Sequence, residues 1–182
     1  MFDDKTINFI GIISYYLEKI NYNTSIIGFS DIEKHPEKNF NGICFSPASR
    51  ANFQLSGMRY VVNVYSSFDK NISSIRETFN SLLSTQTERA DAINYALQRG
   101  NNFLFIFAYM HELGHIQHIV ELNLSDDIFF NPLTGINSNP SNNLIYENYA
   151  DQFALKHSEE IYKLIGSNDA ELESYLDDWL PR

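Results

Sequence analysis

The hydrophobic positions near the start of the chain repeat with a helical period. Ile7, Ile10, Ile13 and Leu17 are three or four residues apart, so they form one stripe on a helix over residues 4–20. A helix with a single apolar stripe buries that stripe against a core. We therefore expect the rest of the chain to cover it.

Further along, the apolar positions come in short runs that are separated by turn residues such as Ser46-Pro47 and Ser56-Gly57. In the last of these runs Val62 and Val64 alternate with Asn63, as in a strand with one buried face. The predicted strands cover residues 24–30, 42–45, 51–55 and 58–66.

After the strands the helical period returns. The run Phe103 to Met110 is apolar on every side, which is typical of a helix buried in the core rather than of an amphipathic one. Trp179 is expected to pack the last helix against the rest of the domain. The predicted helices cover residues 71–84, 86–99, 103–120, 143–157 and 158–180.

The segment 122–142 has little periodicity, and a loop of this length inside a compact domain is often functional. Phe129 and Phe130 within it either line a substrate pocket or cover the cleft, or else form a minor core. At 182 residues we expect one domain, residues 1–182. Its predicted class is α+β, with a small antiparallel β-sheet packed on a mainly helical core.

The composition excludes several classes of function. The formal net charge is −10, whereas nucleic-acid binding needs a basic surface, and anionic membranes are disfavoured for the same reason. The one cysteine, Cys44, rules out an intramolecular disulfide and fits a reducing compartment. The N-terminus does not resemble a signal peptide, and the longest apolar run is too short to span a bilayer. We expect a cytoplasmic protein.

The candidate chemistry lies at the end of the apolar run, in His111-Glu112-Leu113-Gly114-His115. Two histidines four apart share one helical face and can bind one metal ion, while Glu112 beside them can act as a general base toward water. The alternative is a helix that merely contains these residues. A buried helix with three polar side chains nevertheless needs a reason, because burying unpaired polar groups is costly, and a metal supplies one. Gly114 suggests close approach by another segment.

A catalytic zinc takes three protein ligands and keeps a position open. Glu147 and Asp151 are four apart on the helix predicted at 143–157, and the small Ala150 and Ala154 would let this helix approach the first closely. We assign Glu147 as the third ligand and Asp151 as the acceptor of a ligating histidine's free ring N–H. The alternative is an acidic helix that faces solvent.

Other residues near the two motifs could also contribute to the site. Glu121 lies ten residues after His111, but no glycine turn precedes it, so it should stay on the helix and point away from the metal. Acyl transfer also needs an oxyanion donor, and the spacing does not choose among several candidates. These candidates are Tyr146, Tyr149, His118 and His157.

The two motifs together resemble the gluzincin pattern, His-Glu-x-x-His followed by Glu-x-x-x-Asp. The second motif, Glu147 to Ala154, makes the chain similar to ImmA/IrrE-type metallopeptidases and to Lit-type phage-exclusion peptidases. The resemblance covers about residues 100–157. It implies that His111, His115 and Glu147 are zinc ligands and that Glu112 is the catalytic base. It also implies that Asp151 is the supporting acidic residue.

These observations predict a zinc-dependent endopeptidase that hydrolyses a protein or peptide. The resemblance implies one specific protein target, in a regulatory or phage-defence role. The alternative is a non-catalytic, zinc-stabilised binding or immunity module, in which a fourth protein ligand would close the metal site.

Overall fold

A computed structural model describes residues 1–34, 42–48, 57–124 and 140–179 of the chain. The helices within these ranges are α1 (Asp4–Lys19), α2 (Phe68–Leu83), α3 (Ala90–Gln98), α4 (Asn101–Glu121), α5 (Pro140–Leu164) and α6 (Ala170–Trp179). The strands are β1 (Ile27–Asp31), β2 (Cys44–Pro47) and β3 (Tyr60–Val64). The strand predicted at 51–55, and Phe129 and Phe130, lie outside the described residues.

The three strands form one mixed sheet in the order β1-β3-β2. β2 pairs with β3 in the predicted antiparallel sense, with Cys44 opposite Asn63, whereas β1 runs parallel to β3, with Ile27 opposite Tyr60. The α+β class is confirmed, and the sheet is mixed rather than antiparallel. All five residues of β3 are buried, because this central strand is covered on both faces. The one-sided burial predicted for it is therefore wrong.

Helix α4 lies at the centre of the core. From Phe103 to Met110 no side chain is more than 6% exposed, which confirms the buried helix that the sequence predicts. Ile10, Ile13 and Leu17 of the predicted stripe on α1 also pack into this core. So does Phe9, which lies outside the stripe and whose ring contacts that of Phe105 at 5.7 Å between centroids. Helices α2, α3 and α5 and strands β2 and β3 contact α4 as well. The predicted active-site helix is thus held from several sides.

The C-terminal helices differ from the prediction. The sequence predicts a break between helices after residue 157, but one continuous helix, α5, runs through this position to Leu164. The chain turns instead at Gly166, whose φ is +75°. No glycine or proline interrupts residues 141–164, so the helix has no local reason to end earlier. Trp179 packs as predicted, with its ring stacked on that of Phe29. In the described part of the chain no helix has the length and apolarity needed to cross a membrane.

Candidate metal centre

Two histidines on α4 face the same point in space. Residues four apart lie about one turn from each other on a helix, and here His111 Nε2 and His115 Nε2 are 3.1 Å apart. Both rings are buried, with 7% and 5% of their residue surface exposed. The Nε2 lone pairs of neutral histidines in this arrangement would converge on one bound ion.

Helix α5 brings the third donor to this point because it packs unusually close to α4. A Cβ placed on Gly114 would lie 2.9 Å from Ala150 Cα and 3.2 Å from the Ala150 carbonyl oxygen. Only glycine allows that approach, as the sequence predicts. Glu147 lies three residues before Ala150 on α5, so the same contact sets the distance of its carboxylate from the two histidines.

The carboxylate of Glu147 completes a three-donor group. Its Oε2 lies 3.3 Å from His111 Nε2, and its Oε1 lies 3.5 Å from His115 Nε2. In a tetrahedral zinc site with bonds of about 2.0–2.1 Å, neighbouring donor atoms are about 3.3–3.4 Å apart. The three donors therefore have the spacing and the chemical type that such an ion takes, and within the described residues they form a group able to hold a metal.

Asp151 lies behind His111, one turn after Glu147 on α5. Its Oδ1 is 2.8 Å from His111 Nδ1, on the side of the ring opposite the proposed metal position. A proton on Nδ1 leaves Nε2 with its lone pair free for a metal, and a carboxylate at Nδ1 favours that tautomer. This placement matches the position that the sequence prediction gives to Asp151.

A buried arginine that the sequence prediction missed lies against both carboxylates. Arg89, at the end of a single 3-10 turn before α3, is only 4% exposed. Its Nε and Nη2 donate to the two oxygens of Asp151 at 2.7 and 2.9 Å, and its Nη1 lies 2.7 Å from Glu147 Oε2. The guanidinium thus supplies a positive charge to an otherwise acidic, buried group.

The charges in this cluster shift the pKa values of its members strongly. Burial acts to lower the pKa of His111, but the carboxylates of Asp151 and Glu147 overcome it and raise that pKa to about 10. Burial and the neighbouring His111 charge lower the pKa of His115 to about 3. Burial acts to raise the pKa of Glu147, but the two histidines and Arg89 hold it far below its usual range. In the metal-free site His111 is therefore an imidazolium with a proton on each ring nitrogen, and a metal would have to displace the proton on Nε2.

Glu112 lies beside the three donors rather than among them. Its Oε2 accepts a hydrogen bond of 3.1 Å from the backbone N–H of Phe45 on β2. Desolvation raises the pKa of this carboxyl to about 7, with Glu147 also raising it and His111 lowering it. A carboxylate with a pKa near 7 can both accept and return a proton near neutral pH, as a general base must. The Phe45 ring also stacks on His115, at 5.5 Å between centroids.

The four candidate oxyanion donors lie in different surroundings. The ring of His118 stacks on Tyr149 at 4.0 Å between centroids and lies 4.9 Å from that of Tyr146. The Tyr149 hydroxyl donates to Glu121. His157 shares a hydrogen bond of 2.8 Å with the Tyr16 hydroxyl instead. The oxyanion donor stays a prediction, but Tyr149 and His157 each already have a polar partner other than a substrate.

Glu121, the rival third ligand, stays on α4 as predicted and is exposed at its end. The residues that the sequence reasoning missed are Arg89 and Phe45. Phe45 contacts Glu112 through its main-chain N–H, and the sequence carries no signal for a main-chain contact. Arg89 had one indirect signal, because three acidic side chains assigned to one buried site call for a compensating cation.

Comparisons with protein-family models, curated proteins and solved structures find no match for this chain. The resemblance to gluzincins therefore rests on the two motifs and stays a prediction.

Proposed function

We propose that this protein is a zinc-dependent endopeptidase. The observation that carries the proposal is the convergence of His111, His115 and Glu147 on one point, with Glu112 beside them and Asp151 behind His111. These five residues come from two segments more than thirty residues apart in the chain.

The roles follow from the positions of the side chains. His111, His115 and Glu147 would hold the ion, which in such a site supplies Lewis-acid chemistry toward water and a peptide carbonyl. Glu112 would take a proton from the attacking water and pass it to the leaving amine. Its partial burial and its bond from the Phe45 N–H keep its carboxylate in place for both transfers.

The number of donors favours catalysis over a structural metal site. A structural zinc is closed by four protein ligands, whereas a catalytic zinc has three and keeps one position for water or substrate. Within the described residues the metal-binding group has three members, His111, His115 and Glu147. A binding module would also have no use for Glu112, the acid beside the ligands. Burial raises the pKa of Glu112 to about 7.

The substrate class rests on the motifs. Resemblance to regulator-cleaving and phage-exclusion peptidases supports one specific protein target rather than general digestion. The alternative, a zinc-stabilised binding or immunity module, predicts metal binding without any cleavage.

The test compares wild-type protein with Glu112→Gln and His115→Ala. Each is loaded with zinc and incubated with a peptide library made from whole-proteome digests, and new termini are identified by mass spectrometry. We expect cleavage by wild type only, with zinc retained by Glu112→Gln and lost by His115→Ala. Equal cleavage by wild type and Glu112→Gln would refute the assigned base. Zinc-loaded wild type that cleaves nothing would favour the binding module.

A further inference from the structure

Arg89 makes an unusual set of bonds for a residue outside the zinc-binding motifs. Three of its guanidinium nitrogens contact the carboxylates of Glu147 and Asp151, and Nη1 also donates to Gln86 Oε1 at 3.0 Å. The two carboxylates belong to one face of α5, whereas Arg89 precedes α3. A single side chain from another element therefore fixes both acids.

The bonds are arranged so that Arg89 leaves the metal position free. Its Nη1 contacts Oε2 of Glu147, which also lies 3.3 Å from His111 Nε2, while the other oxygen, Oε1, lies 3.5 Å from His115 Nε2. A glutamate can bond an arginine through one oxygen and a metal through the other. Arg89 and a bound ion are thus compatible, and both would hold Glu147 in the same orientation.

The metal-free site explains why a cation is needed there. Glu147 and Asp151 are four residues apart on one helical face, with 20% and 2% of their side chains exposed, so their carboxylates repel each other. An uncompensated buried charge is strongly destabilising. A bidentate guanidinium is the side chain best suited to hold a carboxylate in one orientation.

We propose that Arg89 is a positioning residue, which holds Glu147 and Asp151 in their metal-binding arrangement before the metal enters. The inference rests on the metal site of the proposed function. The hydrogen bonds and ion pairs of Arg89 go to Asp151, Glu147 and Gln86 rather than to a histidine, so it orients the metal site through the two acids, although its charge also acts on His115. Because folding has already ordered these acids, metal binding need not supply the free energy for doing so.

A cavity that Arg89 itself lines makes this role testable by chemical rescue. It has a volume of about 390 Å³ and is lined by Arg89, Asp151, Asn148, Ala92 and Leu155 among others, but by neither histidine ligand. A small guanidinium compound could therefore reach the position of the Arg89 head group when the side chain is removed, without entering the metal site.

The experiment measures Co²⁺ affinity by the visible absorption of the bound ion, with far-UV circular dichroism as the check on folding. Arg89→Ala should weaken Co²⁺ binding by about 10–100-fold, the usual effect of removing a group that orients a metal ligand. Arg89→Lys keeps the positive charge but loses the forked guanidinium, so its Co²⁺ affinity should lie between those of wild type and Arg89→Ala. Arg99→Ala is the matched control, because Arg99 forms a partly exposed ion pair with Glu159 at 2.8 Å. Its affinity should equal that of wild type.

Methylguanidinium at millimolar concentration should restore Co²⁺ affinity to Arg89→Ala and leave wild type and Arg99→Ala unchanged. A folded Arg89→Ala that binds Co²⁺ with wild-type affinity and spectrum would overturn the proposal. If Arg89→Ala does not fold, Arg89→Lys decides, and wild-type affinity in that variant would overturn it equally. Wild-type protein that binds no Co²⁺ or Zn²⁺ would instead refute the proposed function. Co²⁺ binding by wild type that neither Arg89 variant weakens would refute only the role of this arginine.

Discussion

The close packing of α4 against α5 at Gly114 gives a sharp prediction for Gly114→Ala. The new Cβ would lie 2.9 Å from Ala150 Cα and 3.1 Å from Phe153 Cβ. Carbon atoms pack at about 3.5–4.0 Å, so α5 would have to retreat by about 0.6–1.1 Å. The obstructing atoms are backbone and Cβ atoms, which no change of rotamer can move away.

The effects on stability and on metal binding should differ in size. Alanine gains about 1 kcal/mol in helix propensity over glycine, while overpacking costs about 1–3 kcal/mol, so the net loss of stability is about 0–2 kcal/mol. Glu147 moves with Ala150, and a functional constellation must be held within about 0.5 Å. A displacement of this size should weaken metal binding by about tenfold or more.

The assay pairs thermal unfolding of the metal-free protein with a Co²⁺ titration. The melting temperature of Gly114→Ala should fall by at most about 4–8 °C, since 1 kcal/mol corresponds to about 2–4 °C at this chain length. Val120→Ala is the matched control, because Val120 lies on the same helix and is 40% exposed. It should bind Co²⁺ as wild type does. A Gly114→Ala protein with wild-type Co²⁺ affinity would refute the argument that this contact positions Glu147.

Further predictions follow from the roles of the two acids and from the charge on His111. Glu147→Ala removes a metal ligand, so zinc affinity should fall steeply, whereas Asp151→Ala should lose about 10–100-fold and still bind at high zinc concentration. Equal affinities in the two variants would contradict the assigned roles. Because the pKa of His111 in the metal-free protein is raised to about 10, zinc must displace its proton. Apparent zinc affinity should therefore rise with pH up to about 10, and calorimetry in buffers of different ionisation enthalpy should detect proton release at pH 8. The same raised pKa stabilises the metal-free fold fully below about pH 6.5, and this contribution should be lost as the pH rises through about 10. The melting temperature of the metal-free protein should therefore fall as the pH rises from about 6.5 to about 10. A constant or rising melting temperature over this range would contradict the prediction.

The sequence predicted the parts of the molecule that depend on spacing within one helix. The period of Ile7 to Leu17 identified α1, and the unbroken apolar run before His111 identified the buried α4. The two histidines meet because four residues make about one helical turn. Glu147 and Asp151 share a face of α5 for the same reason.

The parts that the sequence did not predict depend on contacts between distant segments. Alternation of apolar residues gives no strand direction, so the parallel pairing of β1 with β3 was missed. The end of α5 was placed too early, although no residue near 157 interrupts a helix. Arg89 looks like a solvent-exposed residue in a polar turn, and only the tertiary structure places it against the buried Asp151 and the partly buried Glu147.

The most direct test of the central claim is anomalous diffraction at the zinc absorption edge from crystals of the zinc-loaded protein. The account predicts one peak per chain, at about 2.0–2.2 Å from His111 Nε2, His115 Nε2 and a carboxylate oxygen of Glu147, with no protein atom in the fourth position. Three results would contradict the account: a zinc ion bound by other residues, a fourth protein ligand that closes the site, or no anomalous peak at all.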